Sequence, residues 1–275
     1  MNKVLIIGNH SFIGSNLFSF LKKKFFIKKL SFNDFKKKNT NFFRKFTHII
    51  NCSINPNYVK YKYKSIFDND IIIAKKIKNL RIKYIFLSSR KVYKSKHNIK
   101  ETDTLLPSCN YSKNKLITEK KLNYILSNNV LILRISNVIG LPNKNNKRKV
   151  HLIFVDHFFK FANKGIIFDN NNNFKDFISI KMLSKIIFFS IKKDISGIYN
   201  CSIGKKVYLN KIIGWLNYYN KNNCKIVKIK KNLRNKDNFT LNNNKIMKIM
   251  SFKYSINDLE KYCKSISKIY FERKV

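Results

Sequence analysis

Three side chains of the types that catalyse proton transfer occur in the middle of the sequence. Tyr111 and Lys115 are four residues apart, and Ser89 precedes Tyr111 by 22 residues. Residues four apart project from one face of a helix. A phenol has an ordinary pKa of roughly 10, and a nearby ammonium lowers that pKa by stabilising the phenolate. Such a pair can move a proton while a serine hydroxyl hydrogen bonds to the reacting oxygen.

The tyrosine–lysine spacing is not specific by itself, because lysine is abundant in this chain. Two other pairs have the same spacing: Tyr58 with Lys62 and Tyr270 with Lys274. The middle pair differs because Ser88 and Ser89 end a predicted parallel strand, at the sheet edge where open α/β sheets bind ligands. The alternative is that the serines only end a strand and that Tyr111 is a half-buried aromatic residue.

A glycine-containing turn follows the first apolar run. The segment GNHSFIG places Gly8 and Gly14 between a predicted strand and the start of a helix, with Ser11, Phe12 and Ile13 between them. Free N–H groups and the helix dipole at such a turn can bind a pyrophosphate. Only seven glycines occur in the chain, so two at this turn indicate a dinucleotide site. The alternative is a tight turn without a ligand.

The elements that must position these residues alternate along the first half of the chain. We predict strands at 4–7, 25–30, 47–51, 83–88 and 130–135, and helices at 12–24, 66–80 and 111–127. Short apolar runs that alternate with helical patterns are typical of βαβ units. The order predicts an α/β fold, a Rossmann-type doubly wound parallel sheet with a smaller C-terminal substrate-binding region.

The second half of the chain is less regular. We assign residues 1–150 to an NAD(P)-binding Rossmann domain and 151–275 to the substrate-binding region, with segments near 176–200 returning to the Rossmann sheet. Helices are predicted at 151–163, 181–192, 209–219 and 256–269, and strands near 165–168 and 197–201. We interpret Glu101 and Asp103 as solvated loop residues.

The net charge of +44 does not by itself indicate a nucleic-acid partner. The chain has 51 Lys but only 7 Arg, and it is also rich in Asn, Ile and Phe. We interpret this composition as nucleotide bias in the gene, with lysines spread over solvated faces. A dedicated nucleic-acid binder more often concentrates its charge and uses Arg.

The composition also limits the compartment and the metal chemistry. The five cysteines have no C-x-x-C pair, which favours reduced thiols in the cytoplasm. No apolar run approaches the roughly 18 residues that span a bilayer, so no membrane segment is predicted. The five histidines are scattered and predict no metal site.

Several segments in the same order resemble the extended short-chain dehydrogenases/reductases of the NAD-dependent epimerase/dehydratase type, which act on nucleotide sugars. The segments are GNHSFIGSNL, INCS, FLSSRKVY, the stretch 101–119 around Tyr111, LRISNVIGLP, FKDFISI and GIYNCSIG. The resemblance implies a catalytic set of Ser89, Tyr111 and Lys115. It implies cofactor contacts by Gly8, Ser11, Phe12, Ile13, Gly14, Ser31, Cys52, Ser53, Asn69, Ser88, Tyr111 and Lys115, and substrate contacts by Ser89, Asn137 and Lys175.

The chain departs from the family pattern at four places. Ser11 stands at the middle glycine of the turn, and Lys175 replaces a usual Arg. Ser31 stands where NAD-preferring members have an acid, so both NAD and NADP remain open. Arg90 and Lys91 stand where 4,6-dehydratases have Asp-Glu, which disfavours a dehydratase.

Two functions follow from this sequence. The first is an NAD(P)-dependent nucleotide-sugar epimerase or 4-ketoreductase of polysaccharide biosynthesis, which the resemblance implies to be a homodimer through the helices at 66–80 and 111–127. The alternative is a non-catalytic Rossmann module that binds a dinucleotide as a sensor, or RNA through its basic surface, since a fold does not settle a function.

Overall fold

The computed structural model describes residues 2–141, 154–169, 173–222, 224–228 and 237–272. The described strands are β1 Lys3–Ile7, β2 Phe26–Leu30, β3 His48–Asn51, β4 Lys83–Ser89, β5 Val130–Ile135, β6 Asn137–Ile139, β7 Ile166–Asp169, β8 Phe174–Lys175, β9 Phe177–Ser179, β10 Gly197–Cys201, β11 Val207–Tyr208 and β12 Lys225–Lys228. The described α-helices are α1 Phe12–Leu21, α2 Phe32–Lys37, α3 Thr40–Phe43, α4 Pro56–Lys60, α5 Asn69–Ile77, α6 Asn110–Leu126, α7 Phe154–Ala162, α8 Ile180–Lys192, α9 Leu209–Asn217, α10 Asn244–Met247 and α11 Ile256–Phe271.

The centre of the molecule is a parallel sheet of six strands in the order β2-β1-β3-β4-β5-β10. Every neighbouring pair in it is parallel. Strands β2 and β3 lie on opposite sides of β1, so the strand order reverses there, and open α/β sheets bind ligands at the carboxyl ends of such strands. The predicted Rossmann-type α/β fold is confirmed.

Both faces of the sheet are buried, which explains why its strands read as continuous apolar runs. Alternate residues of β1 point to opposite faces. Val4 and Ile6 pack in one cluster with residues of α1 and α8. Leu5 and Ile7 pack in the other with residues of α2, α3, α5 and α6. The central sheet is therefore covered by two helix layers.

The smaller elements after β5 form three further strand pairs. Strands β6 and β9 pair in parallel, β7 and β12 pair in parallel, and β8 and β11 pair antiparallel. The predicted helices at 181–192, 209–219 and 256–269 correspond to α8, α9 and α11, and the predicted strand at 197–201 is β10. The proposed domain boundary at residue 150 and the start of the predicted helix at 151–163 lie outside the described residues. Within those residues, no helix is long and apolar enough to cross a membrane.

Candidate active site

The turn between β1 and α1 is built around two glycines in close contact with neighbouring backbone. Gly8 has φ +93°, and a Cβ on it would lie 2.5 Å from the main-chain nitrogen of Ser53. A Cβ on Gly14 would lie 2.4 Å from the carbonyl oxygen of Gly8. Side chains are therefore excluded at both positions, and the turn packs directly on the segment that follows β3.

The N-terminus of α1 fits the diphosphate of a dinucleotide. Ser11 caps the helix: its Oγ accepts a hydrogen bond from Gly14 N and donates one to Gly8 O, both at 2.9 Å. Within the described part of the chain, the N–H groups of Phe12 and Ile13 donate to no acceptor. Free N–H groups at a helix N-terminus bind anions. The serine in place of the middle glycine thus acts as a helix cap and leaves these donors open.

The end of β2 carries a carboxylate one turn beyond Ser31. Gly8 N donates to Leu30 O at 2.8 Å, so this end lies beside the glycine turn. Ser31 Oγ caps α2 by accepting from Asp34 N at 3.0 Å, and it donates to Asp34 Oδ2 at 2.6 Å. That hydrogen bond lowers the pKa of Asp34. An ionised acceptor is therefore present near the position where the family pattern has an acid.

The two lysines of β2 are turned toward aromatic rings. The ammonium of Lys28 lies 5.3 Å from the ring centroid of Phe42, and that of Lys29 lies 4.6 Å from the ring centroid of Phe18. Successive residues of a strand point to opposite faces. The two ammonium groups therefore contact rings on the two faces of the sheet and do not point along β2 toward its carboxyl end.

Three predicted cofactor contacts lie together after β3. Cys52 N donates to Ile7 O at 2.7 Å, which continues the pairing of β3 with β1. Ser53 Oγ donates to Asn51 Oδ1 at 2.7 Å and accepts from Asn69 Nδ2 at 3.0 Å. Burial raises the pKa of the Cys52 thiol. The side chains of this segment beside the glycine turn are therefore uncharged, and Ser53 and Asn69 are hydrogen bonded to each other.

Ser88 belongs to a buried network rather than to an open site. Its Oγ donates to Glu119 Oε1 at 2.5 Å. Glu119 in turn accepts two hydrogen bonds from Arg134, from Nε at 3.1 Å and from Nη2 at 2.7 Å. Arg134 Nη1 donates to Tyr93 Oη at 2.7 Å. A bidentate charged pair of this kind fixes α6 against β4 and β5, and it occupies the Ser88 side chain.

Ser89 is the half-buried last residue of β4. Its Oγ accepts from Lys91 N at 3.2 Å and caps the short 3₁₀ turn Arg90–Val92. No described residue accepts a hydrogen bond from its hydroxyl. The Ser89 hydroxyl is therefore available to a ligand oxygen at the carboxyl edge of the sheet.

Lys115 joins the helix that carries Tyr111 to the strand that ends in Ser89. It is only 6% exposed, and its Nζ donates to Leu87 O at 2.9 Å. The same ammonium lies 4.4 Å from the ring centroid of Phe86 and 6.0 Å from that of Tyr111. The structure thus places the lysine between the end of β4 and the tyrosine ring.

The predicted substrate contacts lie further along the same edge. Asn137 Nδ2 donates to Asp176 O at 3.3 Å. Lys175 Nζ donates to Asp237 Oδ2 at 3.0 Å and is 27% exposed. Asn137 begins β6 and bonds to Asp176, the residue after Lys175 at the end of β8, so the two predicted contacts lie near each other. Lys175 is already part of an ion pair.

Arg90 connects the turn after Ser89 to the C-terminal part of the chain. Its guanidinium pairs with both carboxylate oxygens of Asp237 and lies 3.9 Å from the ring centroid of Phe239. It also donates to Ser95 Oγ at 3.0 Å. Burial raises the pKa of Asp237, but hydrogen bonds and charge from Arg90 outweigh it and hold that pKa well below its ordinary value. Arg90 is thus held by protein groups, and within the described residues only its buried Nε lacks a hydrogen-bond partner.

Several polar residues of this region were not predicted. They are Asp68, Asp70, Glu119, Asp176 and Asp237. The feature of the sequence that could have identified them is the small number of acidic residues, 14 in the chain. Buried carboxylates need specific partners. The interpretation of Glu101 as a solvated loop residue is wrong, since its Oε1 accepts from Asn200 N at 2.9 Å.

The parallel sheet, the glycine turn and the Tyr–Lys helix define a protein of the Rossmann-type dinucleotide-binding class. The sequence matches the model of the NAD dependent epimerase/dehydratase family over residues 4–202. The chain belongs to this family, and the predicted NAD or NADP cofactor agrees with it. Membership also supports an enzymatic role.

Solved structures similar to this chain are nucleotide-sugar enzymes. The UDP-N-acetylglucosamine 4-epimerase of Methanobrevibacter ruminantium, in complex with UDP-N-acetylmuramic acid, has a TM-score of 0.80 at 19% identity and covers 99% of both chains. The dTDP-4-dehydrorhamnose reductase of Clostridium acetobutylicum has a TM-score of 0.74 at 15% identity, covering 96% of this chain and 99% of its own. The UDP-glucuronic acid 4-epimerase of Bacillus cereus, in complex with NAD, has a TM-score of 0.74 at 15% identity and covers 98% of both chains. A comparison with curated protein sequences finds no match.

Proposed function

We propose that this protein is an NAD(P)-dependent nucleotide-sugar epimerase or 4-ketoreductase. The observation that carries the proposal is the position of Lys115, whose Nζ bonds to Leu87 O at 2.9 Å and lies 6.0 Å from the Tyr111 ring. The lysine therefore links the proposed proton carrier to the strand that ends in Ser89. The glycine turn, with its open N–H groups, supplies a matching diphosphate site at the same sheet edge.

The three side chains have different tasks. Tyr111 moves the proton of the sugar hydroxyl. Ser89 donates its free hydroxyl hydrogen to the same sugar oxygen and so orients it. Lys115 holds the ribose next to the nicotinamide and places a positive charge beside the phenol. When bound, the dinucleotide supplies the hydride acceptor and donor that the protein itself lacks.

The remaining predicted residues would bind rather than react. The N–H groups of Phe12 and Ile13 would hold the diphosphate of the dinucleotide. Asp34, bonded to Ser31 at 2.6 Å, would accept a hydrogen bond from a ribose hydroxyl. A carboxylate here repels a 2′-phosphate. We therefore infer that NAD is preferred to NADP.

Asn137 and Lys175 would contact the substrate diphosphate. Lys175 shares Asp237 with Arg90, so the Arg90–Asp237 pair remains intact if the lysine turns to a phosphate. The reaction that returns hydride to the sugar, epimerisation or ketone reduction, depends on how the sugar lies against these groups.

The test is the variant Tyr111→Phe. It removes one hydroxyl and no ring, so we expect turnover of UDP- and dTDP-sugars to fall at least ~10²-fold, with dinucleotide affinity retained. Titrations with NADH and NADPH follow binding, with ATP as a control for polyphosphate attraction to a basic protein. We expect NADH to bind more tightly than NADPH and both more tightly than ATP.

The matched control is Tyr218→Phe, which removes a phenol hydroxyl from a side chain that is 60% exposed and should leave turnover unchanged. Normal turnover by Tyr111→Phe would remove the assignment. Equal binding of all three nucleotides, abolished by salt, would count against the dinucleotide site and hence against the enzyme, whereas polynucleotide binding that persists near physiological salt would favour the RNA-binding alternative.

We also propose a homodimer formed through α5 and α6 with the segment before α5. Two large side chains on these segments are largely exposed: Tyr124 at 89% and Ile66 at 71%. Both side chains lie on the segments through which the resemblance to the family implies dimerisation, and aromatic residues such as Tyr124 are enriched at protein interfaces.

A further inference from the structure

Lys115 is a buried cation that forms no ion pair with any described residue. It is only 6% exposed, and its Nζ donates a single hydrogen bond, to Leu87 O at 2.9 Å. None of the ion pairs in the described part of the chain includes it. Burial of an ammonium is costly unless other groups compensate for the lost water. Groups other than carboxylates must therefore stabilise this charge.

Three aromatic rings lie around the ammonium. Its Nζ is 4.4 Å from the ring centroid of Phe86, 5.7 Å from that of Tyr58 and 6.0 Å from that of Tyr111. The face of an aromatic ring carries partial negative charge. A cation within about 6 Å of the centroid is attracted to that face, most strongly where water is excluded. The rings therefore supply the compensation that no described ion pair provides.

The closest ring belongs to the strand that ends in Ser89. Phe86 lies in β4, is fully buried, and directly precedes Leu87, whose carbonyl oxygen accepts from the ammonium. Successive residues of one strand thus present a ring and a carbonyl oxygen to the same ammonium. These two contacts fix Lys115 against the end of β4.

The second ring comes from α4 and is held against α6. Tyr58 Oη is hydrogen bonded to Thr118 Oγ1 at 2.7 Å, and the carbonyl oxygen of Tyr58 accepts from Asn114 Nδ2 at 2.7 Å. These bonds use the hydroxyl and the main chain of Tyr58, and they leave the ring face to Lys115. The structural role of the residue is therefore separate from the contact with the cation.

We propose that Phe86 and Tyr58 are positioning residues, whose ring faces hold the buried Lys115 ammonium by cation–π attraction and so orient it toward Tyr111 and the cofactor ribose. This inference rests on the proposed function, because that function assigns Lys115 these tasks. Aliphatic side chains could fill the same space but would not attract the cation. The proposal therefore concerns the electron density of the two rings and not their volume.

The first experiment needs no activity. Phe86 is replaced site-specifically by mono-, di- and trifluorinated phenylalanine, since fluorine withdraws electron density from the ring face with little change of ring size. Denaturant unfolding is measured for this series in the wild type and in Lys115→Met. In the wild type, the equilibrium constant of unfolding should rise stepwise, by about three- to thirtyfold in total. In Lys115→Met it should not rise, because the ring then has no cation to hold.

The matched control is the same fluorinated series at Phe177. Its side chain is also fully buried, and no described cation lies over its ring. We expect no stepwise change of stability at this position in either background. A Phe86 series with the same slope with and without Lys115 would show that fluorine acts on packing alone, and it would overturn the proposal.

The second experiment measures kcat along the Phe86 series in the presence of Lys115. If the ring orients the ammonium, kcat should fall in the order of fluorine number, by about tenfold at the trifluorinated ring. A merely structural ring would leave kcat unchanged along this series, since its volume is kept. A flat kcat series would therefore overturn the positioning role.

Tyr58 is tested by a conservative and a non-conservative change. Tyr58→Phe keeps the ring and loses only the bond to Thr118, so it should retain most of the wild-type kcat. Tyr58→Leu removes the ring and should lower kcat by about tenfold. Equal losses of kcat in the two variants would assign the effect to the hydroxyl and overturn the role of the ring.

The outcomes separate this inference from the proposed function. A stepwise loss of stability that depends on Lys115, with no turnover of nucleotide sugars by the wild type, would count against the proposed function alone. Normal turnover with no dependence on Lys115 in the unfolding series would overturn this inference and leave the proposed function standing.

Discussion

At the scale of single residues, the informative side chains are the buried acids. Asp176 is fully buried between β8 and β9, and its Oδ2 accepts from Leu241 N at 2.9 Å. Burial raises its pKa to about 7, although hydrogen bonds from Leu241 and Ser202 oppose this. The carboxyl group thus anchors the strand pair beside Lys175 to the segment 237–242.

This pKa predicts the pH dependence of stability. Because the folded-state pKa lies above the ordinary 3.8, the folded protein holds the proton more tightly, and this contribution to stability is lost as pH rises from about 4 to about 7. Asp176→Asn keeps an acceptor for Leu241 without a charge. The wild type should therefore lose stability relative to this variant as pH rises from 5 to 7. The difference between their free energies of unfolding should change by about 1–3 kcal/mol in favour of the variant.

Denaturant unfolding at several pH values measures the effect. Asp258→Asn is the control, since hydrogen bonds from Ser255 lower the pKa of Asp258 below 3.8 and its contribution changes only at lower pH. A difference between Asp176→Asn and the wild type that did not vary with pH would contradict the assignment.

At the scale of elements, the unit formed by β1, the glycine turn and α1 depends on close backbone contact. A Cβ on Gly14 would meet Gly8 O at 2.4 Å and Ser11 Oγ at 2.7 Å. Gly14→Ala must therefore push the helix N-terminus away from the turn.

We expect Gly14→Ala to destabilise the fold by about 1–3 kcal/mol and to weaken NADH binding more than tenfold. Calorimetry and dinucleotide titration would measure the two effects. Gly214→Ala is the matched control, since a Cβ there meets nothing within 4 Å and Ala has the higher helix propensity. Equal effects of the two substitutions would show that the turn tolerates a side chain.

The same scale shows how far sequence reasoning reaches. Strands β1, β3, β4 and β5 were predictable because burial on both faces makes each an apolar run, and α6 because its apolar pattern is long. Helices α2, α3 and α4 and strands β6, β8 and β9 were not predicted, because two to six residues contain too little periodicity.

The candidate site was predictable to a similar extent. Residues at strand ends and turns, such as Gly8 and Ser89, carry local signals. The partner of Arg90 does not, because Asp237 lies 147 residues away and is joined to it only by the fold. The hydroxyl of Ser88, a predicted cofactor contact, donates to Glu119, and no local sequence pattern indicates that bond.

At the scale of the whole molecule, the lysines cover aromatic surface. Three examples are Lys24 over Phe188, Lys29 over Phe18 and Lys45 over Phe42, with the ammonium groups 4.9, 4.6 and 4.5 Å from the ring centroids. Lysine side chains of this kind cover an aromatic ring with their methylene groups and keep the ammonium in water. This arrangement agrees with the interpretation that the lysines are spread over solvated faces. The absence of a nucleic-acid partner stays a prediction.

The proposed homodimer is a prediction at this scale. Light scattering after size exclusion should give twice the 32.7 kDa of one chain. Tyr124→Lys should shift the population toward monomer, because a charge on a buried interface is costly. The control Tyr218→Lys should not. A wild type that is monomeric at all concentrations tested would remove the proposed interface.

The ion pair between Arg90 and Asp237 links positions 147 residues apart. A nascent chain of some 200 residues on the ribosome already contains all six strands of the central sheet. It contains neither Asp237 nor Phe239, so at that stage of synthesis Arg90 lacks its carboxylate and its aromatic contact. The turn beside Ser89 therefore reaches its final form only after residue 239 has been synthesised, later than the sheet that supports it.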